Sequence, residues 1–212
     1  MTKKIGIIDY AAGNLLSIKR AIESFNLNAI IVERCTEVFS CDALILPGVG
    51  AFRDGMRKLE EHGFVEHIRE YISHDRPLLG ICLGMQLLFE NSDEFGYCSG
   101  LGLIKGAVKK LPTHTTNHVA QKIPHIGWSA VNATQESLFA DIPKNAEYYF
   151  CHSFEVHPVN GDHAIAYYEY GGHQVTAAVN SNSIYGFQFH PEKSGLPGLR
   201  LIKCFLHKTG II

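Results

Sequence analysis

The stretch Leu78-Leu79-Gly80-Ile81-Cys82-Leu83-Gly84-Met85-Gln86 decides how the rest of the chain is read. Its first four residues have the length and apolar character of a strand buried on both faces. G-x-C-x-G follows with no spacer, and a helical run is predicted to begin at Met85 and reach Phe89. A cysteine between two glycines at a strand-to-helix junction is the thiol form of a nucleophile elbow. The turn lifts the sulfur clear of the sheet and sets it at a helix N-terminus, where exposed N–H groups favour an anion. The N–H of Leu83 is then available to a developing oxyanion. The plain alternative is a small buried cysteine in a tight turn, so a partner has to be found elsewhere.

Moving outward, the N-terminal half alternates short apolar runs with amphipathic ones. Lys4–Asp9 reads as a strand, closed by a turn at Gly13-Asn14, and Leu15, Ile18, Ile22 and Phe25 recur at helical spacing. Ala29–Val32 and Ala43–Leu46 read as further strands. Phe52–Leu59 and Val65–Ile72 read as helices broken at Gly63. This alternation predicts an α/β fold, an open and mostly parallel sheet flanked by helices. The C-terminal half is more β-rich, with Tyr148–Phe150, Ala164–Tyr170, Val175–Val179 and Ile184–Phe189 as strands and Leu199–Phe205 as a closing helix. Residues 93–122 carry the weakest pattern. With no repeat, linker or low-complexity tract, residues 1–212 are expected to form one domain.

Composition narrows the function classes. Of 212 residues, 46% are hydrophobic and 19% charged, which supports a sizeable core and argues against disorder. A formal net charge of −2 gives no basic surface on which to track a nucleic acid. No apolar run has the length of a membrane span, and Ile5–Ile8 is too short for a signal sequence. The six cysteines include no CxxC pair, so a reducing, cytoplasmic setting with a working thiol is the expectation.

The partner lies near the C-terminus, in Phe187-Gln188-Phe189-His190-Pro191-Glu192-Lys193-Ser194. An aromatic strand is expected to end at His190, because Pro191 cannot donate to a ladder. A histidine at such an end projects over the sheet, and Glu192 stands close enough in sequence to orient it. Cys82, His190 and Glu192 thus form a nucleophile, a base and an orienting acid.

Gly80-Ile81-Cys82-Leu83-Gly84-Met85-Gln86 together with His190-Pro191-Glu192 resembles the class I, or triad, glutamine amidotransferases. Five further segments are similar to one branch of that family, the glutaminase subunits of imidazole glycerol phosphate synthases. They are Ile8-Asp9-Tyr10 with Gly13-Asn14-Leu15, Leu46–Phe52, Pro124–Trp128, Tyr149–Phe154 and Phe189–Gly195.

The resemblance implies an open α/β sheet, attack of the cysteine on the side-chain amide of glutamine, a γ-glutamyl thioester, and release of ammonia and then glutamate. It implies no cofactor and no metal. It assigns Gly48, Val49 and Gly50 to an oxyanion strand whose peptide must turn towards the substrate, and Gln86 with the backbone of His152, Ser153 and Phe154 to the glutamine subsite. It implies a (βα)8-barrel cyclase as heterodimer partner, receiving ammonia on the histidine route and facing Asn14, Trp128 and Lys193. Trp128 is the sole tryptophan, and aromatic anchors are enriched at interfaces.

Ser129 departs from the branch, where asparagine is usual, and Cys151 stands where valine is common. These departures leave open a different ammonia acceptor, such as a sugar-modifying synthase. Idle members of such families lose the cysteine or the histidine, and both are present here. His114 and His118, spaced as a metal pair, lie in a poor helix without a third ligand. Tyr167, Tyr168 and Tyr170 read as sheet packing, and Gly100-x-Gly102 as a turn.

Overall fold

The computed structural model describes residues 3–134 and 136–212. In chain order the strands of the first half are β1 (Lys4–Ile8), β2 (Asn28–Val32), β3 (Ala43–Leu46), β4 (Leu78–Ile81), β5 (Phe89–Ser92), β6 (Cys98–Ser99) and β7 (Ile104–Lys110). Those of the second half are β8 (His125–Ala130), β9 (Asn132–Ala133), β10 (Glu147–His152), β11 (Phe154–Pro158), β12 (Ala164–Tyr170), β13 (His173–Ser181) and β14 (Ile184–Phe187). The helices are α1 (Leu15–Glu23), α2 (Phe52–Glu61), α3 (Phe64–Ser73), α4 (Leu83–Leu87), α5 (Glu136–Phe139) and α6 (Gly195–Lys208).

The central sheet runs β2-β1-β3-β4-β14-β13-β12-β9. Its first five strands are parallel and the remaining pairs antiparallel. This is the predicted architecture, with a β-rich second half continuing the same sheet. Every residue of β3 and β4 is buried, as expected for strands covered on both faces. On one face Ile5, Ile7, Ile45 and Leu79 pack with Ile18 and Ile22 of α1 and with Leu201, Ile202 and Phe205 of α6. On the other, Ile8, Leu44, Leu46 and Leu78 meet Phe52, Met56 and Leu59 of α2 and Phe64 and Ile68 of α3. The result is three layers, with helices on both sides of one sheet.

Four local readings need correction. The helix after Cys82 stops at Leu87 and Phe89 opens a strand, because Leu87, Leu88 and Phe89 are all fully buried and offer no solvent face for a helix. Residues 93–122 contain β7, whose alternation is interrupted by Gly106. That glycine sits at φ +140°, and a Cβ there would lie 2.3 Å from the His157 carbonyl oxygen. Strand β14 ends at Phe187 rather than at His190. The last helix begins at Gly195, ahead of its apolar stripe.

Candidate active site

The elbow is built by backbone crowding. Cys82 itself takes the unusual conformation, φ +53° and ψ −111°. A non-glycine residue held there costs on the order of 1–3 kcal/mol, and such strain gathers at working sites. The flanking glycines have another task. A Cβ on Gly84 would lie 1.8 Å from the Leu46 carbonyl oxygen, and one on Gly80 would lie 2.7 Å from the Gly84 carbonyl oxygen. Bare backbone at both positions lets α4 sit directly on β3 and β4. Since α4 has five residues, its dipole is a minor source of positive potential at the sulfur.

The parallel register pairs Ile81 with Phe187, and Cys82 N–H donates to the Phe187 carbonyl at 2.7 Å. Cys82 and Gln188 therefore leave adjacent strand ends side by side. The Gln188 amide donates to Cys82 Sγ at 3.8 Å. His190 is moored to the neighbouring strand, its N–H donating to the Tyr149 carbonyl at 2.9 Å. The Ser194 hydroxyl clamps the same junction, donating to the His190 carbonyl at 2.6 Å while accepting the Tyr149 N–H at 3.0 Å.

His190 Nδ1 lies 2.9 Å from Glu192 Oε1, and both side chains are almost fully buried. The His190 ring also interacts with Cys82, and both line the same cavity. Cys82, His190 and Glu192 thus come together. Burial alone would drive the imidazolium pKa down. The bonds to Cys82 and Glu192 outweigh it and raise His190 to about 10. With Nδ1 held by a carboxylate and Cys82 interacting with the ring, the arrangement stabilises an imidazolium beside a nucleophile.

The sulfur opens on a cavity of about 310 Å³. Val49, Gly50, Leu83, Gln86, Glu94 and residues 151–154 are among its lining. The thiol points at the Cys151 carbonyl, 3.9 Å away. Gln86 is buried, and its amide nitrogen donates to the Phe154 carbonyl at 2.9 Å and to Gln188 Oε1 at 3.1 Å. Both amino hydrogens are committed, so this side chain offers its carbonyl oxygen to the cavity. His152 is buried and held neutral, its pKa pushed down to about 3, chiefly by burial. It is therefore no second acid or base at neutral pH.

In the loop from Pro47 to Gly50 the two glycines serve different ends. Gly50 has φ +104° with open space at its Cβ position, so conformation selects it. Gly48 has no such φ; a Cβ there would lie 2.4 Å from Tyr10 Oη and 3.0 Å from Leu83 Cβ. The flip argument thus applies to Gly50, and crowding accounts for Gly48. Tyr10 is fully buried and donates to the Pro47 carbonyl at 2.7 Å, tying this loop to β1.

Of the three residues expected to face a partner, Trp128 and Lys193 both neighbour Tyr149. Trp128 is 53% exposed, edge-on to Tyr149 with ring centroids 5.9 Å apart. The Lys193 ammonium lies over the same Tyr149 ring, 5.7 Å from its centre. Asn14 is exposed and caps α1, accepting the Ser17 N–H at 3.4 Å. His114 lies in a small β-bridge with Ala120. Among the described residues no group of three His, Cys, Asp or Glu side chains has metal-binding geometry. Nor is any helix among them long and apolar enough to cross a membrane.

Sequence reasoning passed over Gln188, Tyr10, Ser194 and Glu94. Gln188 carried a signal, being the one amide in the apolar run from Tyr185 to Phe189. Glu94 carried none. It reaches the cavity because its carboxylate accepts the Phe52 N–H of α2 at 2.7 Å, and burial raises its pKa.

The chain belongs to the class-I glutamine amidotransferase family, whose model matches residues 6–209. Among curated proteins it is 43% identical, over 95% of its length and 98% of the relative's, to imidazole glycerol phosphate synthase subunit HisH 1 of Legionella pneumophila strain Lens. It is 42% identical, over 97% and 96%, to subunit HisH of that synthase from Bacillus licheniformis. Solved structures share the fold. A crystal structure described as a glutamine amidotransferase superposes with a TM-score of 0.75 at 18% identity, covering 97% of this chain and 98% of that one. PurLQS from Thermotoga maritima gives 0.74 at 18% identity, covering 98% and 99%.

Proposed function

We propose that the chain, as one amidotransferase domain over residues 1–212, is the glutaminase subunit of an imidazole glycerol phosphate synthase. The observation that carries this reading is the meeting of Cys82, His190 and Glu192 at a cavity lined by residues 151–154. The similarity to subunits of that synthase over nearly the full length of both chains supports it.

Glutamine enters with its side-chain amide over Cys82. Glu94 is the carboxylate lining the cavity and Gln86 presents an oxygen, so the two suit the substrate's α-ammonium group. The 152–154 backbone holds the amino-acid end. The Cys82 proton resides on His190, and the sulfur attacks the amide carbon. The amide oxygen becomes an oxyanion, met by the Leu83 N–H and by the Val49–Gly50 peptide, with Gly48 allowing the loop its close approach. His190 gives its proton to the nitrogen and ammonia leaves, with the C–N bond broken and a γ-glutamyl thioester in place. Water then attacks the thioester, giving its proton to His190. Collapse releases glutamate and regenerates the thiolate–imidazolium pair. Glu192 holds the ring and its charge throughout.

Ammonia passes to a (βα)8-barrel cyclase subunit docked against Asn14, Trp128 and Lys193, in a cytoplasmic heterodimer of the histidine route. The glutaminase step requires no cofactor, because thiol, imidazole and backbone donors supply every charge it develops. The test is glutamate release from glutamine by the chain alone, then with the cyclase subunit of the same organism and its nucleotide ligand. Cys82→Ala is the control. A large rise on adding both, lost in the variant, supports the reading. Hydrolysis indifferent to the cyclase would move the acceptor to another synthase.

A further inference from the structure

The mechanism uses neither His125 nor Tyr168, yet both are buried, and with His152 they form a hydrogen-bonded line behind the cavity. His125 sits at the start of β8, Tyr168 on β12 and His152 at the end of β10. His152 Nδ1 is 2.8 Å from the Phe154 carbonyl oxygen and its Nε2 is 2.8 Å from Tyr168 Oη. Tyr168 Oη is also 3.2 Å from His125 Nδ1, and His125 Nε2 is 3.4 Å from Ser129 Oγ.

The carbonyl end sets the direction of every proton in this line. A carbonyl only accepts, so His152 Nδ1 carries the hydrogen and donates. The ring is neutral, which leaves Nε2 as an acceptor, and Tyr168 must be its donor. With its single hydrogen spent, the phenol oxygen accepts from His125 Nδ1–H. Burial holds His125 neutral as well, so its Nε2 accepts from the Ser129 hydroxyl. Each group has one consistent role, and reversing any of them leaves two donors or two acceptors facing each other.

The Phe154 carbonyl at the end of this line also accepts from Gln86, which bonds to Gln188, which donates to Cys82 Sγ. One backbone oxygen is thus the junction between the buried line and the side chains of the cavity. We propose that Tyr168 is a positioning residue: its hydroxyl donates to His152 Nε2 and holds the ring in place, so that the Nδ1–H bond to the Phe154 carbonyl fixes the 152–154 edge against which glutamine lies. The tautomer argument is independent of the assigned activity, whereas the substrate named rests on the glutaminase reading.

Tyr168→Phe removes only the hydroxyl. The ring stays stacked on His125 at 5.1 Å and against Phe150 at 4.2 Å, so the fold is retained, as a thermal melt checks. In the unmodified full chain, ¹⁵N NMR should find the His152 proton on Nδ1 between about pH 5 and 8. In Tyr168→Phe the ring loses its Nε2 donor, and the His152 Nε2, Ser153 and Phe154 resonances move. With the cyclase subunit bound, KM for glutamine rises about tenfold while kcat changes by less than about twofold. In a His152→Asn background an amide of fixed polarity takes over the bond to Phe154, and adding Tyr168→Phe raises KM no further. A proton on His152 Nε2 in the unmodified chain overturns the proposal. So does an unchanged KM in Tyr168→Phe, or an equal further rise in the His152→Asn background. Absence of turnover by the unmodified complex would instead reject the glutaminase reading, and the tautomer and amide resonances would still decide the role of Tyr168.

Discussion

Acid should find the buried His152 before it finds most of the molecule. Burial takes the folded-state pKa of this imidazole from 6.5 to about 3, with His125 and His190 lowering it further and the Phe154 bond opposing. The folded value lies below the unfolded one, so as pH falls the unfolded chain takes up the proton first. The contribution to stability is complete above about pH 6.5 and drains away towards about pH 3. For a group with these two values, the loss between pH 8 and pH 5 is about 2 kcal/mol, a sizeable part of a typical 5–15 kcal/mol. His190 has the opposite sign. Its folded pKa is raised to about 10, so its contribution is complete below about pH 6.5 and is lost as pH rises towards 10. Acidification from pH 8 strengthens that term, and the unmodified chain alone shows a mixture of the two. The clean quantity is the difference from His152→Asn, in which His190 and every other group still titrate. Urea unfolding followed by far-ultraviolet circular dichroism at pH 8, 6.5 and 5 should show the unmodified chain losing about 2 kcal/mol more than the variant across this range. A difference in pH dependence below about 0.5 kcal/mol would refute the reasoning, because His152 would then be gaining its proton in the folded chain.

Two further outcomes follow from the site. Gly84→Ala places a methyl group 1.8 Å from the Leu46 carbonyl oxygen; neither backbone can rotate away, so the loss should be about 3 kcal/mol or more, read as a fall in Tm against Gly161→Ala, where a Cβ meets open space. Glu192→Gln keeps the side-chain shape but not the charge that holds the His190 ring, and kcat for glutamine hydrolysis should fall by about 10²–10⁴-fold with KM little changed, as steady-state glutamate release will show.

Much of the architecture was legible because local pattern and final burial agree. β3 and β4 lie where four-residue apolar runs stood, and the helices on either side of Gly63 follow their apolar stripes. Where burial is complete on all sides, periodicity carries no information. Leu87-Leu88-Phe89 therefore read as helix although a strand starts at Phe89. Cys82, His190 and Glu192 could be picked out as candidates because they stand in two local motifs, each at a strand-to-turn junction. That they meet is a matter of register, with β4 and β14 paired in parallel so that Cys82 emerges beside Gln188.

Sequence by itself determined the class of sheet, the elbow and the residue types able to form a triad, since these follow from hydrophobic period, glycine placement and side-chain chemistry within short windows. Only the tertiary structure decided that Gly84 and Gly48 are glycines because of neighbours 35 residues away and more, that Asn14 caps a helix, and that Glu94 reaches the cavity. It also decided that Ser129, His125, Tyr168 and His152 form one directed line of hydrogen bonds. Those facts depend on which backbone oxygen lies a few ångströms from which side chain across separate strands, and no local window of sequence holds that distance.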